Sequence, residues 1–508
     1  MKRDRFHLKA AALAAVLTLA ATSFVFAGGA AEPPKAANVP AASGSAAATK
    51  AKYVFLFVGD GMAAAQINST EIFKSASTGA GLKVSRLTFT QFPVSGLTTT
   101  YDASSFITDS ASAMTAMMTG HKTLSGVINM DTKKETKYTT LAEYAKMAGM
   151  RVGIVSSVSL DHATPAATYA KVPSRGQMYD ICIQLAASNF DYFAGGGLEQ
   201  AGRKKDTQPD AKDVAKQAGY ALVNTPGALK ALKPGAGKVL AINATLQDAN
   251  AMPYEVDRAS DDMDLAAYTR KGIELLDGPQ GFFMMVEGGK IDWACHANDG
   301  AASIKDTLAF ESAVNEAVSF AKAHPADTLI VVTGDHETGG MSIGFSGTKY
   351  STFFEKIAPQ EGSFQAFNDN FFLAYKKNHT KAEANLDEIV PVVEQYFGFK
   401  YAELPDVEKE YLQRAFTRSV GNEIERAVQE DVYQLYGGYE PFTVALTHVV
   451  NQHAGIGWTT YSHTGVPVIT FATGVGQEMF GGYYDNTDIF RKLAAAMRIK
   501  VPAEVASD

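Results

Sequence analysis

Cysteine is nearly absent: the 508-residue chain has two, Cys182 and Cys295. That excludes a disulfide-stapled scaffold. Nothing in their spacing demands a bridge, so two free, partly buried thiols are expected. Turn formers are also sparse, with 44 Gly and 18 Pro, and 46% of the residues are hydrophobic. Collagenous and disordered chains are thereby excluded. Positive charge is in deficit, 46 Lys plus Arg against 54 Asp plus Glu, for a net charge of −8. Without a Lys/Arg stripe, nucleic acid is excluded as a specific partner. No internal repeat is visible. What remains is an enzyme-sized globular protein with length for one large α/β domain carrying insertions, or two to three smaller ones.

The chain opens with Lys2, Arg3 and Arg5, continues through an apolar stretch from Leu8 to Phe26, and reaches small residues at Ala27-Gly28. This pattern predicts a cleaved secretory signal over 1–27, hence a periplasmic or secreted protein with no stable membrane insertion after cleavage. Loss of Lys2, Arg3, Arg5, Lys9 and Asp4 takes the net charge from −8 to −11. Residues 28–51, rich in Ala, Pro, Ser and Gly, read as a flexible leader.

Beyond the leader, short apolar runs each end in Gly, Asp, Ser or Glu: Tyr53 to Val58, Val152 to Val155, Phe282 to Val286, Thr328 to Thr333 and Val466 to Phe471. Helical patterns separate them, at Leu141 to Ala148, Asp264 to Leu276 and Thr307 to Lys322. Continuous rather than alternating apolar runs predict a largely parallel sheet covered on both faces, a three-layer α/β/α sandwich over 52–346 and 448–508. Residues 347–447 break the rhythm with Phe364, Phe367, Phe371 and Phe372 and helical stretches at Asp406 to Phe416 and Ile424 to Tyr436. They read as a mostly helical insertion. In such sheets ligands collect beyond the carboxyl ends of the strands.

Several polar residues stand at those ends. Asp60 lies between Gly59 and Gly61, a turn or a ligand by itself. Glu287 ends its strand, and Asp292 and His296, four apart, share one face of a helical turn, a spacing that suits a zinc-type ion or an ordinary surface pair. Adjacent Asp335 and His336 leave another strand, and His463 precedes the last one. Of the other histidines, His324 and His379 read as solvated, His448 and His453 as packing or surface residues, and His121 as a neighbour of the site. Ser110 opens a helix of small residues, where the helix dipole favours an alkoxide and a phosphate, although an N-cap is the plain alternative. The chain lacks a Gly-x-Ser-x-Gly elbow, so a metal ion would have to activate this serine. His162 and Thr164, a hard hydroxyl, are followed by Arg175, a two-pronged donor suited to phosphate.

Together and in this order, these motifs resemble the alkaline phosphatase family over most of 52–345 and 455–498. The resemblance implies that the sandwich is the catalytic domain of a homodimeric enzyme with two zinc ions and one magnesium ion per chain. It implies Asp292, His296 and His463 for the first zinc, and Asp335 and His336 for the second, with Asp60 bridging to magnesium. Thr164 and Glu287 complete the magnesium ligands with water, and His162 stands beside them. Ser110 matches the phosphorylated nucleophile and Arg175 the phosphate clamp. Some members have Asp in place of His162 and Lys in place of Trp293; others match this chain. The implied activity is hydrolysis of a broad range of phosphate monoesters. The rivals are a phosphodiesterase or sulfatase of the same superfamily and an exported phosphate-binding protein. The insertion 347–447 is expected to form a rim over the site or a dimer contact.

Overall fold

The computed structural model describes residues 50–79, 81–202, 208–421 and 430–502. The predicted signal and nearly all of the leader lie outside these residues.

A ten-stranded sheet forms the centre. In chain order its strands are β1 (Tyr53–Gly59), β2 (Val94–Thr99), β3 (Arg151–Ser156), β4 (Tyr192–Gly195), β5 (Tyr220–Val223), β6 (Lys238–Ile242), β7 (Phe282–Gly288), β8 (Thr328–Gly334), β9 (Val468–Gly474) and β10 (Gly482–Asp485). Across the sheet they lie in the order β10, β2, β9, β8, β1, β7, β3, β4, β6, β5. Only β9 runs antiparallel to its neighbours. The run read at Val466 to Phe471 is this strand, shifted toward the C-terminus.

All seven residues of β1, β7 and β8 are buried, as expected for parallel strands covered on both faces. Alternate side chains serve two cores. Val54, Leu56 and Val58 pack with Met114 and Met117 on one face. Tyr53, Phe55 and Phe57 pack with Phe282 and Phe310 on the other. Each such side chain, fully withdrawn from water, contributes about 1.5–3 kcal/mol. Register then fixes the chemistry: Gly59 pairs with both Gly288 and Gly334, so β1, β7 and β8 end at one level. Asp60 and Asp335 therefore leave the sheet side by side.

Helices flank both faces. Leu265–Leu276 is capped by Asp264, whose carboxylate accepts from the Ala267 amide at 2.7 Å. Gly300–Ala323 starts seven residues before the predicted Thr307 because Asp299 caps it, accepting from the Ala302 amide at 3.0 Å. The region 347–447 is helical where described, including Leu386–Phe397 and Asp406–Val420. Its own apolar cluster contains Phe367, Phe397, Phe416 and Phe442. Helix Pro441–Ala454 continues through the expected boundary near 447. The cysteines are free but fully buried rather than partly so. His324 and His379 are half-buried rather than solvated, stacked on Phe320 and Tyr375. Among the described residues no helix is long and apolar enough to cross a membrane.

Candidate active site

Three carboxylates line the carboxyl edge of the sheet. Asp60 and Glu287 are wholly buried and Asp335 nearly so. Asp335 Oδ1 accepts from the Gly61 amide at 3.1 Å and the His336 amide at 2.9 Å, and Glu287 Oε2 accepts from Ser156 Oγ at 2.5 Å. Asp60 Oδ2 accepts from Thr164 Oγ1 at 3.3 Å. The second oxygens, Asp60 Oδ1, Asp335 Oδ2 and Glu287 Oε1, are buried without a hydrogen-bond donor. Burial, and then neighbouring carboxylates, push Asp60 and Asp335 well above the usual carboxylate range. Burial pushes Glu287 up to about 7. Gly61, at φ 70°, makes the close approach possible, since a Cβ there would lie 2.9 Å from Asp292 Cα.

The histidines share one orientation. Nδ1 of His296 faces the Tyr461 carbonyl at 2.6 Å, Nδ1 of His463 faces the Thr108 carbonyl at 2.8 Å, and Nδ1 of His336 faces Thr338 Oγ1 at 3.3 Å. Thr338 Oγ1 itself donates to Asp292 Oδ1 at 2.5 Å, so it accepts from His336. With these three Nδ1 atoms each facing an oxygen, each Nε2 is turned toward the centre. His296 Nε2 and His463 Nε2 are 3.1 Å apart, and Asp292 Oδ2 is 3.3 Å from the former. His336 Nε2 is 3.3 Å from both Asp60 Oδ1 and Asp335 Oδ2. Burial would raise Asp292, but His296, His463 and His336 outweigh it and hold that carboxyl well below its ordinary value.

Buried carboxylate oxygens without donors repel one another unless cations lie between them, so the donor set fits bound metal. Donor atoms converge within 4.8 Å in three groups: Asp292, His336 and His463; Asp60, Asp335 and His336; and Asp60, His162 and Glu287. The first two combine nitrogen with carboxylate, the chemistry of zinc. The third, with Thr164 beside it, is dominated by oxygen, which suits magnesium.

Ser110 begins helix Ser110–Thr119, and the N-cap is Asp109, not the serine. Asp109 Oδ1 accepts from the Ser112 amide at 3.0 Å, so Ser110 Oγ is left free for the site, 3.2 Å from His336 Nε2. Arg175 is held from two sides: Nη1 donates to Asp109 Oδ2 at 3.0 Å and Nη2 to His162 Nε2 at 2.9 Å. Burial, reinforced by Arg175, pushes His162 down to about 3, so it stays a neutral acceptor. Ser110, His162, Arg175, Asp292, His296 and His463 line one cavity of about 290 Å³.

Every site residue expected from the sequence stands within this cluster. The sequence did not single out Asp109, Ser156 or Thr338, each of which orients a residue that it did. Two of the three are hydroxyls, which follow no spacing pattern; Asp109 adjoins Ser110 and carries the N-cap signature. His121 stacks on Tyr138, with ring centroids 4.2 Å apart.

Residues 51–499 match the family model described as Alkaline phosphatase. Alkaline phosphatase 4 of Bacillus subtilis (strain 168) is 32% identical over 444 residues, 86% of each chain. Alkaline phosphatase 3 of the same organism is 30% identical over 460 residues, 89% of this chain and 90% of the relative. Among solved structures, the cold-active alkaline phosphatase of Shewanella sp. superposes with a TM-score of 0.71 at 28% identity, covering 88% of this chain and 99% of that one. Thermus thermophilus alkaline phosphatase gives 0.74 at 27%, covering 89% and 92%. With a metal-ready cluster at the sheet edge and a match along nearly the whole described chain, the protein belongs to the alkaline phosphatase family of metal-dependent phosphatases.

Proposed function

We propose that the protein hydrolyses a broad range of phosphate monoesters to alcohol and inorganic phosphate through a phosphoserine on Ser110. One observation carries this reading: a serine hydroxyl freed from capping at a helix N-terminus, 3.2 Å from His336 and in one cavity with Arg175.

Asp292, His296 and His463 would hold one zinc ion, and Asp335, His336 and Asp60 a second. Asp60, Thr164 and Glu287 would hold magnesium, with His162 beside it. When bound, the ions lower the pKa of the serine hydroxyl and of water and neutralise charge on the entering and leaving oxygens. The chain's own groups do the rest. Arg175, fixed by Asp109 and His162, presents its guanidinium to the non-bridging phosphate oxygens. Helix amides beyond Ser110 stabilise the same charge. Ser110 Oγ, having lost its proton to solvent, attacks phosphorus in line, and the alcohol leaves after taking up a proton. Water then cleaves the phosphoserine and restores Ser110. Recognition centred on the phosphate accounts for breadth.

The N-terminal segment 1–27 supports export to the periplasm or beyond, and a homodimer is the assembly implied by the family resemblance. The test is turnover of 4-nitrophenyl phosphate beside the corresponding bis-ester and sulfate, with metal analysis of the same preparation. Strong preference for the monoester, lost on chelation, supports the reading. Equal or greater turnover of the diester or sulfate overturns it.

A further inference from the structure

The cavity at Ser110 has a second wall that the phosphate chemistry does not use. Besides the site residues it is lined by Trp293, Tyr254, Phe364 and Tyr439. Phe364 and Tyr439 come from the region 347–447, far along the chain from the motifs. The rings interlock edge to face: Tyr254 and Phe364 have centroids 5.8 Å apart at 64°, and Phe364 and Tyr439 5.8 Å apart at 88°. Tyr254 and Phe364 are buried, whereas Trp293 and Tyr439 are half-buried members with surface open to the cavity.

The wall is braced from behind. Lys290 is fully buried, its Nζ has no hydrogen-bond partner, and it lies 3.6 Å from the Tyr254 centroid and 4.8 Å from that of Trp293. Two ring faces thus embrace one ammonium, which fixes both rings. Ala249, which lines the cavity, and its neighbour Asn250 adopt left-handed backbone at φ 48° and 58°. Asn250 Nδ2 donates to the Leu198 carbonyl at 3.0 Å, and the Asn250 carbonyl accepts from the Gly197 amide at 2.7 Å. Left-handed backbone in an alanine beside the cavity, where the Cβ makes it costly, marks a constrained position. Exposed Asp248 sets a carboxylate beside it.

We propose that this aromatic wall is a leaving-group subsite favouring phosphate monoesters whose alcohol carries a planar ring, a nucleoside or an aryl group, over esters of similar alcohols without one. The inference rests on the phosphomonoesterase reading. A cavity of about 290 Å³ accommodates a phosphate and a ring system rather than an extended polymer. The Asp248 carboxylate disfavours leaving groups that bear further phosphates.

Two substrate pairs test it, each with matched leaving oxygens: adenosine 5′-phosphate against ribose 5-phosphate, and benzyl phosphate against cyclohexylmethyl phosphate. The expected kcat/KM ratio is roughly ten-fold in favour of the ring in at least one pair, the scale of one stacked ring. Preference in the first pair alone identifies nucleosides; preference in both identifies planarity itself. Tyr439→Ala, with the milder Phe364→Leu as a second variant, should bring the ratio to within about two-fold. Ratios near one in the wild type, or ratios that neither variant moves, overturn the proposal. Failure to hydrolyse any of the four esters would instead sink the phosphatase reading beneath it.

Discussion

Replacing Asp109 by Asn separates two jobs that one carboxylate performs. Oδ1 accepts from the Ser112 amide and the Gly126 amide, both at 3.0 Å, and an amide oxygen can take over those bonds, so the helix cap survives. Oδ2 faces Arg175 Nη1 at 3.0 Å, and there the variant sets an NH₂ against a guanidinium. In the folded wild type, burial works to raise the carboxyl, but Arg175 and the bonds from Ser112 and Gly126 hold it at about 2, against an ordinary 3.8. At about 1.4 kcal/mol per tenfold change in the proton equilibrium, that difference is worth about 2 kcal/mol. Because the folded value is depressed, the stabilisation is complete above the ordinary value and disappears as pH falls through about 2. Urea unfolding of the metal-loaded proteins at pH 7 should therefore place Asp109→Asn below wild type by at most about 2 kcal/mol, since the bonds from Ser112 and Gly126 are retained, with the gap closing in acid. Arg175 would then be held only by His162 Nε2, and kcat/KM should fall roughly 10- to 100-fold, with weaker inhibition by inorganic phosphate. Equal stability at pH 7 together with unchanged phosphate inhibition would refute this account of the clamp.

Gly61→Ala forces a Cβ into φ 70° and to within 2.9 Å of Asp292 Cα and Thr338 Oγ1; a loss of roughly 1–3 kcal/mol in stability and of most activity is expected by denaturation and turnover. Thr338→Val removes the hydroxyl that orients Asp292 and His336, and competition with a calibrated chelator should show zinc affinity reduced roughly 10- to 100-fold. Ser156→Ala frees Glu287 Oε2 and should raise the magnesium concentration needed for half-maximal activity while leaving zinc content unchanged. Removing all metal from the wild type should lower its thermal midpoint as well as its activity, because the buried oxygens Asp60 Oδ1, Asp335 Oδ2 and Glu287 Oε1 are then left without a partner.

The strands that carry the candidate site were legible because they are buried on both faces: runs such as Phe282 to Val286 and Thr328 to Thr333 are continuous and end beside the candidate site residues. β2, four of whose six residues are exposed or partly so, and the four-residue strands β4, β5 and β10 leave a weaker trace, and none was foreseen. The reversed direction of β9 is a matter of connection and pairing that an apolar run does not encode. Ser110 was legible as a helix opening, but the displacement of the cap to Asp109 depends on one φ/ψ transition. The aromatic content of 347–447 was plain, whereas the meeting of Phe364 and Tyr439 with Tyr254 is tertiary and has no local signature. Likewise His162 shows in sequence only as a potential ligand. Its acceptance of a bond from Arg175, with Asp60 and Glu287 also within reach, follows from the fold.

The proposed mechanism puts the transferred phosphoryl group on Ser110. Acid quenching of the metal-loaded enzyme during turnover of a phosphate monoester, followed by peptide mass spectrometry, should show one phosphoryl group on Ser110 and none on the Ser110→Ala variant, whose turnover should be nearly abolished. Full turnover by Ser110→Ala, or a phosphoryl group trapped on another residue, would contradict it.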